Sequence, residues 1–293
     1  MLVKVTRTKD EPPVKIAFIV LTYNQPEMLL QVLNGLAPQC GPEHEVVIAD
    51  DGSAPAAIET LRQNLPQFQC RVSHVWHPDN GFTAARARNL AAANSNAEYL
   101  VFMDGDCIPN PHFVQAHARL QEPGFFVNGS RVLLNPELSR QILAHKVTMA
   151  QARWYDWLGW RVTGQVNKLL HLWRWPDGAL RKEQHFRWKQ IRSCNFGVWR
   201  DDFLRINGFD ETFQGWGHED ADLVLRLHNA GLQRKNGFCA TEVYHLWHRE
   251  NNRDHESGNR QLVLQRVHSG LVRALSGVSN ARAATDVCVT HLN

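Results

Sequence analysis

The stretch YLVFMDGDCIPNP, from Tyr99 to Pro111, sets Asp104 and Asp106 on either side of Gly105, directly after the apolar run Leu100-Val101-Phe102-Met103. Asp and Gly favour turns for backbone reasons, so the triplet taken alone reads as a solvated turn. At the end of a core strand, two carboxylates on a tight turn can instead hold a hard divalent cation, Mg²⁺ or Mn²⁺, and through it a nucleotide diphosphate. Phosphate oxygens also want cationic donors, and ARARN supplies Arg86 and Arg88 just upstream. Neither a GxxxxGK[ST] loop nor a strand-GxGxxG-helix is offered as another phosphate cradle. A second group of acids lies in GWGHEDAD, where Glu219 and Asp220 follow Trp216. Acids gather at helix N-termini because they favour the macrodipole, and ADLVLRLHNAGL does read as a helix closing at Asn229-Ala230-Gly231. Trp216, flanked by glycines, has no part in starting a helix. Further on, VYHLWH adds His245 and His248, which also read as packed histidines near a strand end.

These groups need elements to position them. VKIAFIVLTY, EVVIADD, CRVSHVWH and EYLVFMD read as strands, separated by the helical stretches PEMLLQVLNGLAPQ, AAIETLRQNLPQ and TAARARNLAAANS. Val- and Ile-rich strands alternating with short helices predict βαβ units around a mostly parallel sheet, an α/β fold. Polar residues fall where the strands end: Thr22, Tyr23 and Asn24, then Asp50 and Asp51, then His77 and Asp79, then Asp104 and Asp106. Open α/β sheets bind ligands beyond the carboxyl ends of their strands, so these groups are expected to converge on one site.

Composition narrows the class. A chain of 293 residues with 43% apolar content can bury a sizeable core, and a net charge of +3 does not favour a dedicated nucleic-acid binder. Six cysteines, scattered without a CxxC pair, read as reduced and mostly buried thiols. The opening residues carry no apolar stretch of signal-peptide length, and IAFIVL is far short of the roughly 20 residues of a membrane span. The expected location is cytoplasmic.

Four blocks in order, IVLTYNQPEMLLQVLNGL, EVVIADDGS, GFTAARARNLAAANSNAEYLVFMDGDCIPNP and NGFDETFQGWGHEDADLVLRLHNAGL, resemble the GT-A glycosyltransferases of family two. The last block is similar to the C-terminal segment shared with galactosyltransferases and chondroitin-type polymerases. The resemblance covers roughly residues 14 to 250 and implies a GT-A, Rossmann-like fold: one domain, with a mostly parallel central sheet flanked by helices and a Trp/Arg-rich helical insertion. It implies an N-terminal extension over 1–13 and a transferase domain over 14–255. Within that domain, 14–110 bind the nucleotide and 111–255 the acceptor, with the insertion at 150–190; a C-terminal helix and tail follow over 256–293. Carried over residue by residue, Tyr23 and Asp51 hold the uracil and its neighbourhood, Thr22 joins the nucleotide-sugar site, Arg88 approaches the nucleotide, and Asp104 lies nearer the ribose while sharing the metal with Asp106. Asp220 corresponds to the catalytic base, Glu219 to a group for sugar hydroxyls, Trp216 to a neighbour of the acceptor, and His245 to the third protein ligand of the metal, with His248 as the fallback.

Inverting sugar transfer needs a base for the attacking hydroxyl and an electrophile for the departing diphosphate, which one carboxylate and one Mn²⁺ or Mg²⁺ would provide. The expected activity is transfer of a hexosyl or N-acetylhexosaminyl group from a nucleotide sugar, UDP-linked, to a hydroxyl of a glycan or glycolipid acceptor in cell-envelope polysaccharide or lipopolysaccharide synthesis. The alternative is a non-catalytic GT-A-like module that binds glycan or nucleic acid. Between the two acidic groups, residues 153–192 interleave Trp154, Trp157, Trp160, Trp173, Trp175 and Trp188 with arginines and lysines. This segment reads as indoles packed on the core, as an acceptor cleft, or as a peripheral contact with the inner face of the cytoplasmic membrane; a stacking platform for nucleic acid is not expected. QHFRW, Gln184 to Trp188, matches the QxxRW pattern of processive synthases, but precedes Asp220 instead of following it and is read as coincidence.

Overall fold

A computed structural model describes residues 14–183, 185–186, 191, 193–213, 215–249 and 255–293. The first half alternates as its sequence pattern predicts: β1 (Ile16–Thr22), α1 (Pro26–Leu36), β2 (His44–Asp50), α2 (Pro55–Gln63), β3 (Arg71–Trp76), α3 (Ala84–Ala93) and β4 (Tyr99–Asp104). Proline opens α1 and α2, where its missing N–H costs no helix bond. β5 (Cys107–Pro109), α4 (Phe113–Leu120), β6 (Phe125–Asn128), β7 (Arg131–Leu133), α5 (Pro136–Leu143) and α6 (Trp154–Val162) follow. The remainder comprises β8 (Asn195–Trp199), α7 (Arg200–Arg205), α8 (Glu219–Asn229), β9 (Gln233–Asn236), β10 (Val243–His245), α9 (Glu256–Arg266), α10 (Val278–Ala281) and β11 (Cys288–His291).

The main sheet has eight strands in the order β11-β3-β2-β1-β4-β8-β6-β9. Six run in one direction, and β8 and β11 run against them. Both faces are covered, which is why the central strands read as continuous apolar runs. In β1, Phe18 and Val20 face a core shared with Leu33, Leu36, Ile48 and Phe113, whereas Ala17 and Ile19 face another built around Leu90, Phe102, Phe203 and Phe209. A smaller sheet, β5-β10-β7, continues from the carboxyl end of β4. The Asp104-Gly105-Asp106 turn is the joint between the two sheets, and it brings His245 opposite Cys107.

Among the described residues, the insertion is helical over α6 and short 3-10 turns at 149–151, 170–172 and 179–181. Its tryptophans divide: Trp157 is buried, Trp160 is packed against the core, and Trp154, Trp173 and Trp175 are exposed. Gln184, Arg187 and Trp188 of QHFRW lie outside the described residues. The C-terminal stretch is tied into the fold, since α9 lies on α8 through Phe213, Ala221 and Val263, and β11 pairs antiparallel with β3.

Candidate active site

The carboxyl ends of β1, β2, β3 and β4 meet at one edge of the sheet, because their parallel register brings the polar residues that follow each apolar run to the same level. Asp51 is 4% exposed. Its Oδ2 accepts the backbone N–H of Thr83 at 2.9 Å, its Oδ1 accepts the Thr83 hydroxyl, and His77 Nε2 approaches to 3.3 Å. Asp51 therefore also anchors the start of α3, which carries Arg88. At the next residue Gly52 has φ of 94°, and a Cβ there would lie 2.5 Å from the backbone of Asp79. That approach brings Asp79 within reach of Tyr23, whose hydroxyl donates to Asp79 Oδ2 at 2.9 Å while the ring stays 46% exposed at the rim. Thr22 is buried at the end of β1.

Gly105 is required between the two aspartates because a Cβ would stand 2.7 Å from the Leu21 carbonyl. The tight turn directs its carboxylates to different partners. Asp104 Oδ1 accepts Arg88 Nη2 at 2.8 Å, and Arg88 Nη1 reaches Glu219 Oε1 at 3.4 Å. Arg88 itself is buried, with its guanidinium over the Phe209 ring. Burial would lower its pKa, but Asp104 and Glu219 outweigh that and raise it. Arg86 points elsewhere and pairs with Asp286 at 2.6 Å, so the expected pair of phosphate donors reduces to Arg88.

Asp106 faces the small sheet. His248 Nε2 lies 2.9 Å and His245 Nε2 3.7 Å from its Oδ2, and the Cys107 thiol donates to Oδ1 at 3.2 Å. Asp106, Cys107 and His245 form the cluster of potential ligand atoms found among the described residues, and Asp104, held by Arg88, stays outside it. Burial alone would raise the Asp106 carboxyl, but the hydrogen bond from His248 and the nearby imidazoles hold it below the usual carboxylate range. Burial lowers His245, favouring neutral imidazole, whereas the Asp106 contact pushes His248 up to about 9. The other ring nitrogen of His248 donates to the Arg249 carbonyl at 2.8 Å, leaving Nε2 aimed at Asp106. Burial also pushes the Cys107 thiol well up, which keeps it a neutral donor.

Glu219 and Asp220 open α8 after Gly215, Gly217 and His218, all at positive φ, with the partly buried Trp216 among them. His218, at φ of 71°, is a non-glycine residue in the left-handed region. Asp220 Oδ1 accepts the backbone N–H of Ala221 at 2.8 Å. Loss of solvent, then the charge of Glu219, push its carboxyl up to about 7, in the range suited to a general base.

Residues 17–179 match glycosyl transferase family 2, and residues 179–249 match the N-terminal domain of galactosyltransferase. The chain belongs to glycosyl transferase family 2. It is 30% identical over 233 residues to validoxylamine A glucosyltransferase from Streptomyces hygroscopicus subsp. limoneus, covering 74% of this chain and 48% of that protein. The chain thus spans about half the length of this relative. Among solved structures, GalNAc-T7 with UDP, GalNAc and Mn²⁺ superposes with a TM-score of 0.57 at 13% identity, covering 87% of this chain and 48% of the other. S. aureus TarS 1–349 with UDP-GlcNAc gives 0.55 at 15% identity, over 91% and 69%. The fold of this family 2 chain is GT-A, a large mixed sheet flanked by helices in a single domain.

Other residues support the site without a chemical role assigned to them from the sequence. Thr83 and His77 hold Asp51, and Asn89 ties α3 to the loop before α8 by donating to the Phe209 carbonyl and to Glu211 at 2.9 and 2.8 Å. A polar residue amid the alanines of α3 was the available signal for Asn89. A cavity of 380 Å³ lies between α4, α6 and residues 170–177, and is lined by Tyr244, the residue before His245 in β10. Successive strand residues point to opposite faces, so this cavity lies behind the small sheet and not at the Asp106 cluster.

Proposed function

We propose that this family 2 chain is an inverting, metal-dependent glycosyltransferase. It moves a hexosyl or N-acetylhexosaminyl group from a UDP-sugar to a hydroxyl of a glycan or glycolipid acceptor in cell-envelope polysaccharide synthesis. The observation that carries this reading is the Asp104–Arg88–Glu219 bridge, which joins the Asp-Gly-Asp turn to the helix start bearing Asp220. Donor-side acids and a carboxyl poised near neutrality thereby share one site. Asp220 takes the proton of the attacking hydroxyl, Glu219 accepts from sugar hydroxyls, and Trp216 flanks the acceptor. Thr22, Tyr23 and Asp51 border the uracil, and Arg88 keeps positive charge close to the diphosphate.

Asp106 and His245, with Cys107 beside them, offer ligand atoms close enough together to hold one divalent ion, and His248 reaches the same Asp106 oxygen. A mixed imidazole and carboxylate set suits Mn²⁺ better than Mg²⁺, which prefers oxygen and retained water. Bound there, the ion would stabilise the charge of the departing diphosphate. GalNAc-T7, solved with UDP and Mn²⁺, and TarS 1–349, solved with UDP-GlcNAc, support the same donor class. A module that only bound glycan would have no need of a carboxyl held near neutrality beside Glu219.

Calorimetric titration of UDP with and without Mn²⁺ tests the reading. The unmodified protein is expected to bind UDP more tightly with Mn²⁺, and Asp106→Ala to lose that increment while keeping its fold. A variant that retains the full manganese-dependent gain removes Asp106 from the metal site.

A further inference from the structure

Among the described residues, nine of the sixteen large apolar side chains left exposed fall between Trp154 and Leu180, far more than a scatter of single surface residues would place there. On α6, Trp154, Tyr155, Leu158 and Val162 are 68, 49, 48 and 80% exposed. Their spacing of i, i+1, i+4 and i+8 places them on one helical face. The other side of α6 is already used: Trp157 packs 4.2 Å from the His171 ring and 4.9 Å from Tyr244, with Trp160 at 5.2 Å. The helix is apolar on two sides and covered on one. Beyond His171, the adjoining stretch continues with exposed Leu172, Trp173 and Trp175 around Arg174.

The unpaired charges of this segment are mostly positive. Asp156 accepts the backbone N–H of Arg153 at 2.8 Å, and Asp177 pairs with Lys235 at 2.9 Å. Lys168 turns inward, to Ser130 and over the Phe238 ring, so it does not belong to the exposed face. Arg153, Arg161 and Arg174 are exposed and, among the described residues, make no ion pair. Exposed indoles beside unneutralised guanidinium groups match the headgroup layer of a bilayer, where amphipathic rings settle and basic side chains meet anionic lipid. No helix among the described residues is long and apolar enough to cross a membrane, so the contact is one of lying on the surface.

We propose that residues 153–180 seat the protein on an anionic lipid surface, with Trp154 and Trp173 entering the headgroup layer and Arg153, Arg161 and Arg174 at its phosphates. The contact is independent of the sugar-transfer reading and stands or falls whatever the reaction. It is tested by co-sedimentation with vesicles of about 70% phosphatidylcholine and 30% phosphatidylglycerol, against phosphatidylcholine alone, at rising salt. The unmodified protein is expected to bind the anionic vesicles, to bind neutral ones far more weakly, and to be released by salt. Trp154→Ser with Trp173→Ser should weaken binding by roughly tenfold or more, and Arg161→Gln with Arg174→Gln should abolish the preference for anionic lipid. All four side chains are exposed, and an unchanged thermal unfolding midpoint checks that the variants remain folded. Failure of the unmodified protein to bind vesicles overturns the proposal, as does equal binding to both compositions or binding unchanged in the tryptophan variant. A dimer in sedimentation equilibrium that dissolves in the tryptophan variant also overturns it, by assigning the face to a second copy of the chain.

Discussion

Asp220 and Asp222 stand two residues apart on α8 and face opposite fates. Asp222 is fully buried between two arginines, whereas Asp220 is partly buried beside another carboxylate with its pKa near neutrality. A general base acts mainly in the transition state, so Asp220→Asn is expected to lower kcat by about 10²–10⁴-fold with donor affinity nearly unchanged. In the proposed role the carboxylate form is the active one, so the transfer rate of the unmodified protein should fall as pH drops through about 7, and the variant should lack that limb. Linkage gives an independent check. A carboxyl raised in the folded state binds its proton more tightly there than in the unfolded chain, so its contribution to stability declines as pH rises from about 4 to about 7. Asp220→Asn should therefore raise the Tm at about pH 8 and leave it unchanged at about pH 3. An Asn variant with near-full turnover while Glu219→Gln is inactive would move the base to Glu219.

At the scale of elements, α8, which carries Asp220, is held by buried ion pairs. Arg226 donates to Asp222 at 2.7 Å and to the carbonyls of Ile206 and Gly208, and Arg266 of α9 donates to Asp222 and Asp210 at 2.7 and 2.9 Å. The pairs clamp α8 between the loop before it and the helix after it. Removing one partner leaves buried charge uncompensated, so Asp222→Ala is expected to cost about 3–5 kcal/mol in urea unfolding. The loss should appear in the unfolding midpoint before any change in donor affinity. A variant destabilised by less than about 1 kcal/mol, the range of an exposed pair, would show that the network adds little.

At the scale of the whole molecule, β11 covers an edge that would otherwise lie open. It pairs antiparallel with β3, and Asn293 accepts the N–H of Val72 at 2.8 Å and donates to the Cys70 carbonyl at 2.7 Å. Unpaired strand edges invite pairing between molecules. Deleting residues 287–293 should therefore promote aggregation during refolding, read by light scattering, while UDP binding by the remaining monomer persists because the site lies at the carboxyl ends of the strands. A truncated protein as soluble as the full chain would show that the β3 edge is harmless.

The alternation of strands and helices and the polar residues ending each strand were legible in the sequence, because hydrophobic period, proline and glycine act over a few residues. The same local pattern placed Asp51, Asp104, Asp106, Glu219 and Asp220 at element ends. Which side chains would meet was not legible. Arg86 and Arg88 are two residues apart on α3, about 200° around the helix, so one meets Asp286 and the other Asp104 and Glu219, the latter 131 residues away. The resemblance favoured His245 over His248, and the turn after β10 brings His248 closer to Asp106. Trp154 and Trp157 share a composition and a helix, yet the packing of His171 and Tyr244 buries only the second. Element identity follows from neighbours along the chain, whereas partner choice follows from which faces the packed sheets and helices turn toward each other, and only the tertiary structure sets those.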